Sequence, residues 1–150
     1  GAGDYTVDTN YTEYKAPTQP EGDNNSAIYM TREAILDTPA TALKIFFAGH
    51  RESSSEIKVM YKILRTDDAT DFDEIGWTYF NTNGTTDTTT KTSVGIGDFQ
   101  QYMYTAGVKD DGIGTSLDSF IAFSIKIIMQ GTNTAKPPRI KDLRAIALST

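Results

Sequence analysis

The chain has 150 residues, no cysteine, and 20 acidic against 14 basic side chains, for a net charge of −6. The missing thiols exclude disulfides, thiol nucleophiles, cysteine-bound zinc and iron–sulfur clusters together. The acidic balance, with Lys and Arg dispersed among acids and apolar residues, speaks against nucleic acid or an anionic membrane surface as partner. One domain is expected at this length, and such a chain buries about 68–70% of its unfolded surface. Its 38% of hydrophobic residues, with 8 Tyr, 7 Phe and 1 Trp, suffice for a core.

Residues 1–26 are polar and turn-rich, with Pro17, Pro20, Gly22, Asp23, Asn24 and Asn25 broken by Tyr5, Tyr11 and Tyr14. They read as an irregular N-terminal arm or linker lying along a surface or a neighbour. Their start has neither the basic residues nor the apolar run of a secretory signal, and the lack of an initiator Met suggests a processed chain or an excised domain. A domain over residues 27–150 follows. Residues 27–36 read as a strand, with Ile28 and Met30 on one face and Thr31 and Glu33 on the other, ended by Asp37-Thr38-Pro39 because Pro cannot donate to a ladder.

Residues 42–48 alternate Leu43, Ile45 and Phe47 against Lys44 and Phe46. After a polar turn cluster at 49–55, residues 56–64 alternate again, placing Ile57, Val59, Tyr61 and Ile63 inward and Lys58, Met60 and Lys62 opposite. The two runs, joined by so short a loop, read as a hairpin or adjacent strands. An acidic stretch at 66–74 leads to a short aromatic strand, Trp77-Thr78-Tyr79-Phe80. Residues 81–92 are almost all Thr, Asn, Asp and Gly and read as a long surface loop. Another strand is expected over 99–104, and residues 106–118 are rich in Gly and Asp.

Two strand patterns close the chain, residues 120–130 and 139–148, around a polar turn with Pro137 and Pro138. They read as the seam of a finished sheet, with Phe123, Ile125, Ile127 and Met129 facing inward. The run at 120–129 contains Ser124 and Lys126 and falls short of the roughly 20 apolar residues of a membrane span, so no membrane insertion is expected. Period-two alternation recurs and no helical period is sustained, so the fold class is all-β: an antiparallel β-sandwich, jelly-roll-like, with an irregular N-terminal arm.

Candidate sites are few. Asp67, Asp68, Asp71, Asp73 and Glu74 offer carboxylates to calcium, but they lack the Gly turn and terminal Glu spacing of a calcium loop, so a solvated acidic loop is the plainer reading. Trp77 and Tyr79 share a strand and form a candidate platform for a sugar ring, against the commoner fate of core packing. His50 is the single histidine. Ser53, Ser54 and Ser55 lie too near it in sequence to build a triad with it, so it reads as a turn histidine. Gly95-Ile96-Gly97 and Gly112-Ile113-Gly114 lack the Lys and the following helix of phosphate loops and read as turns. No catalytic residue, cofactor or metal ligand is assigned.

Three stretches carry a family resemblance. They are Ala27-Ile-Tyr-Met-Thr-Arg32 with Asp37-Thr-Pro-Ala40; Glu56-Ile-Lys-Val-Met-Tyr-Lys-Ile63 with Asp71-Phe-Asp73 and Trp77; and Phe120-Ile-Ala-Phe-Ser-Ile-Lys-Ile-Ile-Met129 with Pro138-Arg-Ile-Lys-Asp-Leu-Arg-Ala-Ile-Ala147. Together, across residues 27–148, they resemble the C-terminal β-domain of virion structural proteins of marine T4-like tailed phages, assigned to the baseplate, tail or tail fibres. The resemblance implies a non-enzymatic structural and protein-interaction role, other virion proteins as partners, and a place in the phage tail or baseplate. A homo-oligomer is the default for such a part. A carbohydrate-binding β-sandwich that recognises a host surface glycan through Trp77 and Tyr79 is the alternative.

Overall fold

A computed structural model describes residues 3–7, 27–53, 55–131 and 138–149. Among them the strands are β1 (Gly3–Val7), β2 (Ala27–Thr31), β3 (Ala34–Ala40), β4 (Ala42–His50), β5 (Ser55–Arg65), β6 (Thr78–Tyr79), β7 (Gln100–Ala106), β8 (Phe120–Gly131) and β9 (Arg139–Leu148). Two short 3-10 turns, Phe72–Glu74 and Phe80–Thr82, are the only helical elements among the described residues. The fold is the expected all-β antiparallel sandwich.

Sheet A runs β1-β2-β8-β5-β6, with β3 beside β2 on the other half of β8; sheet B runs β7-β4-β9. From β3 onward the chain changes sheet at every connection except that from β5 to β6. That alternation ties the two sheets into one sandwich.

The alternating residues fill the space between the sheets as the sequence requires. Ile57, Val59, Phe123, Ile125, Ile127 and Met129 from sheet A meet Leu43, Ile45, Phe47, Tyr102 and Tyr104 from sheet B. Burying each such side chain contributes about 1.5–3 kcal/mol. Tyr102 and Tyr104 both stack on Phe47, at 5.2 and 5.7 Å between centroids. Offset aromatic pairs of this kind add about 0.5–1.5 kcal/mol beyond the area they bury.

The structure corrects four expectations about pairing. β4 and β5 are not a hairpin: β4 pairs with β7 and β9, and β5 with β8 and β6. Their inward faces are alike because they oppose each other across the core, and alternation alone cannot distinguish that from pairing. For the same reason the closing strands share no ladder: β8 is central in sheet A, and β9 lies at the edge of sheet B. The strand expected over 27–36 breaks at Arg32 and Glu33, and its second part continues through Pro39 to Ala40. Pro39 is tolerated because the register with β8 shifts between Ile35 and Ala40, where the ladder asks nothing of it. The N-terminal arm, read as irregular, contributes β1, whose residues 3–7 pair with β2; the rest of 1–26 lies outside the described residues.

Candidate functional site

The two outward faces of the sandwich differ sharply. On sheet A, the register places Met60 opposite Lys126 and Lys62 opposite Ser124. Met30 meets Lys126 from the other side. The segment that follows β5 folds back over this surface. Asp71 caps the first 3-10 turn by accepting from the Asp73 N–H, and the turn buries Phe72. Trp77 is then pressed onto Ile28, Met60 and Ile128.

Two lysines are shut beneath this cover: Lys62 is 7% exposed and Lys126 fully buried. Lys62 donates to the Phe72 carbonyl at 3.0 Å. Its Nζ lies 4.4 Å from the Phe72 ring centroid and 4.9 Å from that of Trp77, with the Lys126 Nζ 5.6 Å from Trp77. Burial lowers the Lys62 pKa below its ordinary value; Asp73 and Glu33 oppose that shift, and Lys126 reinforces it. The side chains on this face are packed against one another and serve the fold.

Sheet B keeps its outer face open. Alternation turns Lys44, Phe46 and Ala48 of β4 outward, beside Gln101 and Met103 of β7 and Lys141, Arg144 and Ile146 of β9. Phe46 carries two cations, Lys44 at 5.3 Å and Arg144 at 6.0 Å from the ring centroid. Phe99, just before β7, carries two more, Lys141 at 4.2 Å and Arg139 at 5.4 Å. Lys44 is also bonded to Asp110. Arg139 donates to the Ile96 carbonyl at 2.8 Å and so fixes the loop before β7. Lys141 and Arg144 form no ion pair among the described residues.

Between the two phenylalanines lies an open groove of about 340 Å³, lined by Phe46, Ala48, Phe99, Gln101, Asp142 and Arg144 among others. A bulge builds one wall: the β4–β9 register shifts between Phe46 and Ala48. Opposite that shift Asp142 adopts φ 59, a left-handed conformation that Asp accepts more readily than most residues. Bulges re-aim side chains and recur beside binding sites.

No family model, curated protein or solved structure matches the chain. The site is therefore read from its own geometry.

The residues singled out in the sequence fall elsewhere. Trp77 is 7% exposed and Tyr79 half-buried against the same cluster, so Trp77 offers no open ring face and the two do not make a solvent-facing two-ring platform. His50 is not a turn residue: it ends β4, buried, with Nδ1 3.3 Å from the Asp98 carbonyl and Nε2 3.3 Å from Glu52 Oε1. Ser55 instead ties the turn, its Oγ accepting from the Glu52 N–H and donating to the Glu52 carbonyl at 3.1 Å each. The acidic stretch forms the capped 3-10 turn, and among the described residues no three His, Asp or Glu side chains gather as metal ligands. Gly95 and Gly112 stand in open turns, as expected.

Sequence reasoning missed the sheet B face because its cations and rings are spread over three segments of chain. Pairing alone gathers Lys44 with Arg144 and Phe99 with Lys141. One local signal existed: β9 places three of its ten residues as Arg or Lys, at 139, 141 and 144.

Proposed function

We propose that this chain is a non-enzymatic structural and protein-interaction domain of a tailed-phage virion, in the baseplate or a tail appendage. The observation that carries this reading is the contrast between closed and open sheet edges. The β7 edge is covered by the Thr-rich segment, whose Asp87 N–H reaches the Met103 carbonyl at 2.6 Å and whose Thr88 hydroxyl reaches the Gln101 carbonyl at 2.6 Å. Beside β5, the Val59 N–H donates to the Gly84 carbonyl at 3.0 Å. Among the described residues, β1 pairs only with β2, and β9 only with β4.

An uncovered strand edge is a template for a strand from another chain, and proteins that remain alone blunt such edges. Among the described residues such edges lie in both sheets, β3 likewise pairing only with β8, so a neighbour can be engaged on either side. Repeated use of one edge around a symmetry axis gives a homo-oligomer, and use of both gives a link between different virion proteins. The three-stretch resemblance to phage tail and baseplate domains supports the same role. Carbohydrate recognition, the second reading, is favoured by the open face of sheet B and not by Trp77 and Tyr79.

Mass spectrometry of purified virions tests the proposal directly. Peptides from this chain are expected among the tail or baseplate proteins, and their absence from intact particles would overturn it. Light scattering on the isolated chain then distinguishes a self-assembling part, such as a trimeric fibre or spike, from a module that needs other chains.

A further inference from the structure

We propose that the groove on the outer face of sheet B binds an acidic oligosaccharide, one bearing carboxylate or sulfate groups. The proposal does not depend on the virion reading. Its volume of about 340 Å³ falls at the small end of ligand sites, roughly 300–1,000 Å³. What selects the ligand class is the chemistry of the walls.

A sugar ring has a flat face of C–H groups and a rim of hydroxyls that both donate and accept. Such a ligand needs an aromatic surface together with donors and acceptors at its edge. Phe46 and Phe99 supply the surface, Arg144 and the exposed Gln101 supply donors, and Asp142 supplies an acceptor that cannot donate. Phe46, on β4, and Phe99, just before β7, are both half-buried. The strand positions between them span about 13 Å, room for more than one sugar unit.

The charge of the ligand follows from the cations. Lys44 is already neutralised by Asp110, and Arg139 is engaged with the Ile96 carbonyl. Lys141 and Arg144, exposed, lie over the two rings and form no ion pair among the described residues. In a chain of net charge −6, two cations without an ion pair among the described residues, set beside an aromatic groove, complement a negatively charged ligand, and a neutral sugar would leave their charge unmatched. Single-stranded nucleic acid fits less well. Its backbone follows an unbroken positive track, and Asp142 and Asp110 interrupt this one.

The test is calorimetric titration of the full chain with four probes: an oligogalacturonate, a heparin fragment, neutral dextran and oligo-dT. Binding of at least one acidic saccharide is expected, weakening as salt rises, with none to neutral dextran. Arg144→Gln is expected to weaken that binding about tenfold, the equivalent of one lost charge-assisted contact. Lys58→Gln, on the other sheet, leaves it unchanged, and thermal melts verify that each variant is folded. Asp142→Asn is the deciding variant, since Asn also accepts the left-handed backbone. It weakens a saccharide whose hydroxyls the carboxylate accepts, and strengthens a polyanion held by charge alone. Tighter binding by Asp142→Asn, oligo-dT binding more tightly than either acidic saccharide, indifference to Arg144→Gln, or no binding by any probe would each overturn the proposal.

Discussion

The Lys62 ammonium lies 4.9 Å from the centre of the Trp77 ring, a contact that joins β5 to the segment folded over sheet A. Trp77 is the lid of that face: it covers Met60, Ile28 and Ile128 and shields two amines. Trp77→Ala is expected to cost about 3–5 kcal/mol, the usual range for emptying a large buried aromatic site, measured by urea unfolding. As the chain has a single Trp, fluorescence checks the burial independently. A blue-shifted spectrum resistant to iodide quenching is expected, and a red-shifted, readily quenched one would restore Trp77 as a solvent-facing platform.

Burial of Lys62 also sets a pH dependence. Desolvation lowers its pKa in the folded state, whereas the unfolded chain keeps a value near 10.4. Just below that value the unfolded state therefore binds more protons than the folded one, so this group makes stability rise with pH through the window. Tyr61 and Tyr104 act in the opposite sense: burial raises both, so their contribution is lost as pH climbs past the ordinary phenol value. Comparing wild type with Lys62→Met cancels the tyrosines. Wild-type stability is expected to rise relative to the variant as pH climbs toward the ordinary lysine value of about 10.4; a flat or falling difference would show that Lys62 is solvated.

The inward faces were legible in the sequence and the strand partners were not. Leu43, Ile45 and Phe47, or Phe123, Ile125, Ile127 and Met129, announce themselves by period two because one side of each strand meets the core. Which strand lies beside which depends on contacts remote in sequence, and β4 and β5 present the same pattern whether hydrogen-bonded or stacked. The buried lysines were hidden for a related reason. Lys62 and Lys126 look like solvent-side positions until residues 66–79 fold over them, since a charged residue marks an exposed face in most sheets. In the loops, composition identified residues 81–92 as irregular but could not show that their hydroxyls close a sheet edge.

Gly107 permits the turn that leaves β7. Its φ of +100 lies where L side chains are strained, and an added Cβ would stand 2.8 Å from the Thr41 carbonyl oxygen and 3.0 Å from Ala42 Cα, both backbone atoms. Gly107→Ala is expected to cost at least about 1–3 kcal/mol, the typical range for such strain, seen as a lower urea midpoint with an unchanged slope. Gly95, which has open space around it and no positive φ, provides the contrast: Gly95→Ala is expected to leave the midpoint within about 0.5 kcal/mol of wild type.

Thr86 tests whether edge protection governs assembly. Its Oγ1 accepts from the Met103 N–H at 3.0 Å and reaches the Met103 carbonyl at 3.0 Å, so one side chain satisfies both backbone groups of an edge residue. Thr86→Val keeps the shape and removes both bonds, together with those the same Oγ1 makes with the Thr88 N–H at 3.1 Å and the Thr88 hydroxyl at 2.8 Å. The half-buried Met103 N–H then loses its partner, at a cost of about 1–3 kcal/mol. If the threonine strap is what keeps β7 from recruiting strands, the variant should show a concentration-dependent rise in mass by light scattering, and deleting the exposed Thr89 hydroxyl as Thr89→Val should not. An unchanged mass for Thr86→Val, with the loss of stability present, would mean that the remaining bonds from Asp87 and Thr88 suffice to close the edge. Association would then rest on unpaired edges elsewhere, such as those of β1 and β9.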